Sequence, residues 1–166
     1  CRLTVNSFGD GKKFISGNQC EKGLGKATAG EQLPNLYEFK RNYLTRLKSE
    51  EGTRGTVGMP LALGMYELLP LWHAVFTKLG FNVKVSPMST RRIYEKGQFS
   101  IPSDTACYPA KIMHGHIETL ISDGVDTIFY PCLTYNMDEK MTDNHYNCPV
   151  VAYYSELLNG NVEELK

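Results

Sequence analysis
The sequence predicts an α/β fold: a mainly parallel sheet with helices on both faces, preceded by an N-terminal β-hairpin and helix appendage. Three observations predict it. From residue 53 onward, short β-like runs alternate with helical stretches, the pattern of a parallel sheet built through crossovers. The helical stretches carry apolar residues at helical spacing and stop at glycines. The chain has 166 residues, 42% hydrophobic and 22% charged, which is enough to bury a core without staples.

Residues 2–7 (RLTVNS) and 12–16 (KKFIS) are β-like, and FGDG between them supplies the turn of a hairpin. Cys1 and Cys20 flank the two strands, so the hairpin can bring them together. Residues 21–34 are glycine-rich and read as a linker. NLYEFKRNYLTRLKSEE (35–51) reads as a helix, with Leu36, Phe39, Tyr43, Leu44 and Leu47 on one stripe. TVGMP is a short strand. LLPLWHAVFTKLG is a helix with Pro70 in its first turn and Gly80 as its stop. NVKVS is a second strand, and STRRIYEKG a short helix capped by Ser89. PAKIMHGHIETLISDG is a helix ended by Gly124. DTIFYP and CPVVAYY are strands, and SELLNGNVEELK begins a last helix. Right-handed crossovers and short connections favour the strand order 2-1-3-4, a flavodoxin- or Rossmann-like arrangement. Residues 1–52 form the lead-in and residues 53–166 the α/β domain.

Eighteen basic residues balance eighteen acidic ones. No basic field draws in nucleic acid or an anionic membrane, and no apolar run reaches spanning length, so neither is an expected partner. The chain opens on Cys1 with no signal-peptide pattern and closes in the charged stretch NVEELK, and it reads as a piece of a longer protein. Its five cysteines are odd in number and the chain is not a short secreted one. Reduced thiols in a cytoplasm are expected rather than a disulfide framework.

The stretch SDTACYPAKIMHGH (103–116) gathers a cysteine, a lysine and two histidines. Proline at a first helical position marks a helix start, which puts Cys107 at the N-cap region of the helix. Cys132 directly follows the strand DTIFYP. Helix N-termini and strand carboxyl ends share one edge of a parallel sheet, the edge where such folds bind ligands, so Cys107 and Cys132 converge there. Cys148, just ahead of CPVVAYY drawn as a strand, falls at the opposite edge unless the loop 133–147 carries it across. Separations of 25 and 16 residues match neither zinc fingers nor ferredoxins, and a single cysteine is most often a buried filler. A nucleophilic Cys107 needs a base. His114 and His116, at i and i+2, face apart, cannot together chelate one ion, and sit turns away from the thiol. His145, in the loop, is the freer base, and His116 reads as a surface or satisfied core residue. Lys111, one turn beyond Cys107, can offset the charge of a thiolate, although a solvated lysine is the commoner case.

The run SIPSDTACYPAKIMHGHIETLISDGVDTIFYPC, with DNHYNCPVV after it, resembles the domain that follows the ATPase modules in long activator proteins of 2-hydroxyacyl-CoA dehydratases, the CoA-substrate-specific enzyme activases. VGMPLALGMYELLPLWHAVFTKLGFNVKVSPMSTRRIYEKG is similar to the start of that domain, and CRLTVNSFGDGKKFISGNQCEKGLGK to its lead-in. The family is similar in turn to the cluster-carrying subunits of those dehydratases, whose repeated α/β domains hold an iron–sulfur cluster on cysteines.

The resemblance implies that residues 53–166 are the first half of a larger repeated α/β module. It implies Cys107, Cys132 and Cys148 as ligands of a [4Fe-4S] cluster in the intact protein, with Cys20, Cys1 or a further domain left for the remaining iron and Lys111 nearby. Tyr108, Tyr130, Pro131 and Pro149 would keep water from it, although ordinary core packing accounts for them equally. It further implies ATP-driven, low-potential electron transfer to a dehydratase-type or related target enzyme. The chain has no G-x-x-x-x-G-K-[ST] loop, so ATP belongs to ATPase domains of the same polypeptide. A cluster site normally closed by a second domain can stand open or empty in this piece, and a homodimer is a further assembly the reading allows. Two other functions stay open. One is a docking or structural module with buried cysteines, or zinc at Cys1 and Cys20. The other is a small-molecule binder whose helix N-terminus after Pro109 cradles an anion.

Overall fold
The computed structural model describes residues 2–17, 19, 33–49 and 51–165. The chain divides into two compact units, Cys1–Leu36 and Tyr37–Lys166. In the first, β1 (Thr4–Ser7) pairs antiparallel with β2 (Lys13–Ser16), Val5 opposite Ile15 and Asn6 opposite Phe14. The Phe8 N–H donates to the Lys12 carbonyl at 2.9 Å, and Gly11 takes the positive φ of 75° that the tight turn needs. This is the hairpin the sequence predicts. Cys1 and Cys20 lie outside the described residues.

The second unit is entered through α1 (Leu36–Thr45), shorter than the helix expected over 35–51. The Thr45 hydroxyl folds back onto the carbonyls of Arg41 and Asn42 and closes the last turn. Then β3 (Thr56–Met59), α2 (Met65–Lys78) and β4 (Asn82–Val85) form a βαβ unit, with β3 and β4 parallel and Val57 opposite Val83. Gly80, at φ 84°, ends the α2 turn as expected. The helix starts earlier than its sequence suggests, at Met65, so Pro70 lies inside it rather than in its first turn and removes one i→i−4 hydrogen bond. In α3 (Arg91–Lys96) the cap is Thr90, whose hydroxyl accepts from the Ile93 N–H at 3.3 Å, and not Ser89. Next comes α4 (Tyr108–Ser122), with Gly124 at φ 77° just beyond its end, and finally α5 (Pro149–Asn161). No helix among the described residues is long and apolar enough to cross a membrane.

The fold is mixed α/β, but the extended 2-1-3-4 sheet is not formed among the described residues, which hold two two-stranded sheets. DTIFYP makes one parallel bridge, Ile128 to Gly58. The Gly58 N–H donates to the Thr127 carbonyl and the Phe129 N–H donates to the Gly58 carbonyl, both at 2.8 Å. The neighbouring Met59 carbonyl accepts from Ser86, beyond the end of β4, at 3.0 Å. Backbone groups of successive strand residues point to opposite sides, so segment 127–129 runs along β3 on the side away from β4.

CPVVAYY is not a strand. It is the start of α5. Pro149 supplies a helix-ready φ at the first position, and Tyr154 and Leu158, four residues apart, bury on one face. The Val150–Val151 pair suggests a strand, but a short apolar run fits either state.

Two apolar cores hold the unit. Val57, Met59, Met65 and Leu69 form one with Leu44 and Val83, while Met113, Ile117, Tyr154, Leu158 and Val162 dominate the other. Tyr130 packs against both. Helices α3 and α4 touch backbone to backbone at Gly97 and Gly115, where a side chain on Gly115 would overlap the Ile93 carbonyl.

Candidate functional site
Cys107 is the N-cap of α4, at φ −63° and ψ 153°, with Pro109 in the first turn. Cys148 is the N-cap of α5, at φ −62° and ψ 155°, with Pro149 at its first position. The two cysteines thus occupy the same backbone niche on successive helices. Neither thiol makes a side-chain capping bond, although both backbones begin their helices regularly. The Lys111 N–H donates to the Cys107 carbonyl at 3.1 Å, and the Ala152 N–H to the Cys148 carbonyl at 3.0 Å. Each thiol therefore sits where the unpaired N–H groups and the positive end of the helix dipole favour an anion.

The expectation that Cys148 starts a strand at the opposite sheet edge is overturned. As the N-cap of α5 it stands at a helix N-terminus, as Cys107 does.

Cys132 follows segment 127–129 and the Tyr130-Pro131 pair. Its Sγ lies 2.8 Å from Ser155 Oγ on α5, and the two share a hydrogen. The backbone ties the same regions together. The Leu133 N–H donates to the Val151 carbonyl at 3.5 Å. Asn147, next to Cys148, donates from its side chain to the Leu133 carbonyl at 2.9 Å and from its backbone to the Thr134 carbonyl at 2.9 Å. Residues adjoining Cys132 and Cys148 are thereby stitched together, and the loop 133–147 closes on itself. All three cysteines are free and exposed.

Behind them stand two tyrosines. Tyr154 on α5 is buried, and its hydroxyl lies 3.0 Å from His114 Nε2. Burial raises its pKa, and Cys107 raises it further. The Tyr130 hydroxyl is buried with no hydrogen-bond partner. Burial pushes its pKa well up, and the charges of Cys132, Tyr154 and Cys148 add to the push. All three thiols are thus in electrostatic reach of one tyrosine or the other. A cleft of about 350 Å³ lined by Ile128, Tyr130, Ser155 and Asn159 opens along the same elements.

The remaining candidates are otherwise engaged. Lys111 donates its ammonium to the Asp104 carbonyl at 2.7 Å, fixing the turn that leads into Cys107. His145 lies 3.5 Å from Asp138 in the loop. Both helix histidines are core residues with both ring nitrogens partnered. His114 meets Ser100 Oγ at 2.9 Å as well as Tyr154, and His116 meets Ser86 Oγ at 2.7 Å and Ser89 Oγ at 2.9 Å. Burial lowers both pKa values to about 4. Tyr108 is exposed and stacks on Tyr94 with ring centroids 5.3 Å apart. Ser155 and Tyr154 escape sequence reasoning because the strand drawn at CPVVAYY hides the helix to which both belong. Pro149, at the first helical position after Cys148 as Pro109 is at the second after Cys107, is the signal that points to it.

Among the described residues, no group of three or more His, Cys, Asp or Glu side chains is arranged to hold a metal ion. Neither a curated protein nor a solved structure shows a match to the chain. A family model described as the CoA enzyme activase uncharacterised domain (DUF2229) matches residues 56–166, from the first residue of β3 onward and well over half of the chain. The chain belongs to this CoA enzyme activase domain family.

Proposed function
We propose that this chain is the iron–sulfur domain of an ATP-dependent activator, passing low-potential electrons to a 2-hydroxyacyl-CoA dehydratase-type or related enzyme. One observation carries the reading. Of three free, exposed cysteines, two are N-caps of neighbouring helices and the third, in the segment between them, is tied to the second of those helices.

The donor set fits a cluster in kind: thiolates are the ligands that iron–sulfur groups take. A cubane also spreads its thiolates wider than a single ion does, because each binds a different iron, so the absence of a single-ion site among the described residues is compatible with it. The buried, unpartnered Tyr130 hydroxyl further fits a polar group seated beside the thiols. Cys107, Cys132 and Cys148 would hold the cluster, leaving one iron for a ligand from Cys20, Cys1 or another domain. When bound, the cluster supplies a one-electron relay at low potential.

The chain's own residues do the rest. The α4 and α5 N-termini stabilise thiolate charge. Pro131 and Pro149 flank the cysteines, and Lys111 holds the Cys107 turn in place. In this reading ATP hydrolysis falls to ATPase domains of the same polypeptide, as the resemblance to long activator proteins implies. Free exposed thiols suit a reducing cytoplasm.

The test is anaerobic reconstitution with ferrous iron and sulfide, followed by iron and sulfide analysis and a visible spectrum. Uptake with thiolate-to-iron charge-transfer bands, lost in Cys107→Ala and Cys132→Ala, supports the reading. Zinc uptake without iron, or iron bound equally by the alanine variants, sinks it in favour of a docking module.

A further inference from the structure
Four side-chain polar atoms among the described residues are buried without a partner. Three, Trp72 Nε1, His73 Nε2 and Thr77 Oγ1, belong to α2. The fourth, the Tyr130 hydroxyl, belongs to the segment that ends in Cys132. The Tyr130 ring is wedged between the two cores, so it cannot swing out to solvent to satisfy its hydroxyl. A buried hydroxyl left unpaired is destabilising, and native structures keep few of them. The Tyr154 hydroxyl nearby is already committed to His114, and the Cys132 thiol to Ser155. A phenol is a donor at neutral pH, and what Tyr130 lacks is an acceptor.

We infer that the Tyr130 hydroxyl is a built-in hydrogen-bond donor for the thiolate-bound group at Cys132 and Cys148, and that it sets the potential of that group. The inference rests on the iron–sulfur reading above. The physical reason is charge. Reduction adds an electron to a group that already carries negative charge, and a donor at its edge stabilises the reduced state more than the oxidised one. Tyr130 thereby raises the potential while its ring excludes water. It is a positioning and tuning residue, not a ligand.

Tyr130→Phe keeps the ring and removes only the hydroxyl. Two measurements follow on wild-type and variant chains. The first is thermal unfolding without iron. The variant is expected to melt higher, by roughly 2–4 °C, because an unsatisfied buried hydroxyl has gone. A lower melting temperature means that the hydroxyl already has a partner in the metal-free protein, and the inference falls.

The second is a redox titration of the anaerobically reconstituted chains, followed by visible absorption. Equal iron content is expected, with the variant's midpoint shifted negative by a tenfold change in the reduced-to-oxidised ratio, about 59 mV for one electron. Equal iron with an unchanged midpoint overturns the role of Tyr130 alone. A wild-type chain that takes up no iron overturns the cluster reading and this inference with it.

Discussion
The stretch of α4 that carries His114 and His116 and the positions of Cys107, Cys132 and Cys148 both offer side chains able to bind metals, yet they are built in opposite ways. The histidines are fully buried, and each ring nitrogen faces a serine or tyrosine oxygen. Their chemistry is used up in joining α4 to the segments that flank α3 and to the middle of α5. These three cysteines are exposed and undisulfided, and of their thiols only that of Cys132 shares a hydrogen bond. The phenol behind them has a hydroxyl with no partner at all. A metal-capable residue type is thus a poor guide to a site. Whether its polar atoms are already engaged discriminates better.

The largest effect that would sharpen this contrast is acid sensitivity. Burial holds His114 and His116 near pKa 4, below the ordinary 6.5, so the unfolded chain takes up protons first as the pH falls. Their contribution is fully present above about pH 6.5 and is lost as the pH drops toward 4, by about 3 kcal/mol for each histidine. Urea midpoints measured between pH 7 and 4 should fall steeply, and His116→Phe should flatten the curve. A flat profile in the wild type would mean that the histidines are open to water and that the contrast is wrong.

Gly115→Ala comes next. A methyl there overlaps the Ile93 carbonyl, and the α3–α4 contact must open, at a cost of about 3 kcal/mol in urea unfolding. His116→Phe at pH 7 should cost about 2 kcal/mol, because Ser86 loses one of its two partners in the core and Ser89 loses its ring contact. The smallest effect lies at the cysteines. Cys107→Ala and Cys148→Ala should change stability by no more than about 0.5 kcal/mol, since neither thiol is packed or makes a capping bond. A loss of 2 kcal/mol or more in either variant would turn these cysteines into structural residues and erase the contrast.

How much of this was legible in the sequence depends on which element is considered. The βαβ unit and the start of α4 at Cys107 could be read, because apolar spacing and closing glycines mark the first and a proline marks the second, although Pro70 misplaced the start of α2. The start of α5 could not be read as easily. Val150 and Val151 after Pro149 fit a strand by residue type, and only the burial of Tyr154 and Leu158 against α4 decides for a helix. The missing sheet follows from the same error, since one of its four strands was in fact a helix, and DTIFYP keeps a single bridge. Within the site, Cys107 could be placed at the start of its helix. Ser155, Tyr154 and the empty valence of Tyr130 could not, because they depend on which atoms meet in three dimensions.

Asn147 has a consequence beyond placing a thiol. Its side chain and backbone pin the two ends of the loop 133–147 together, the Asn136 N–H donates to the His145 carbonyl at 2.9 Å, and the Tyr135 and Tyr146 hydroxyls meet at 2.8 Å. The strain of any change at the tip, around Met137 and Met141, ends at this clasp. The tip is therefore an interchangeable part: it can be lengthened, recoded or swapped between homologues, while the spacing of the two cysteines at its base stays fixed.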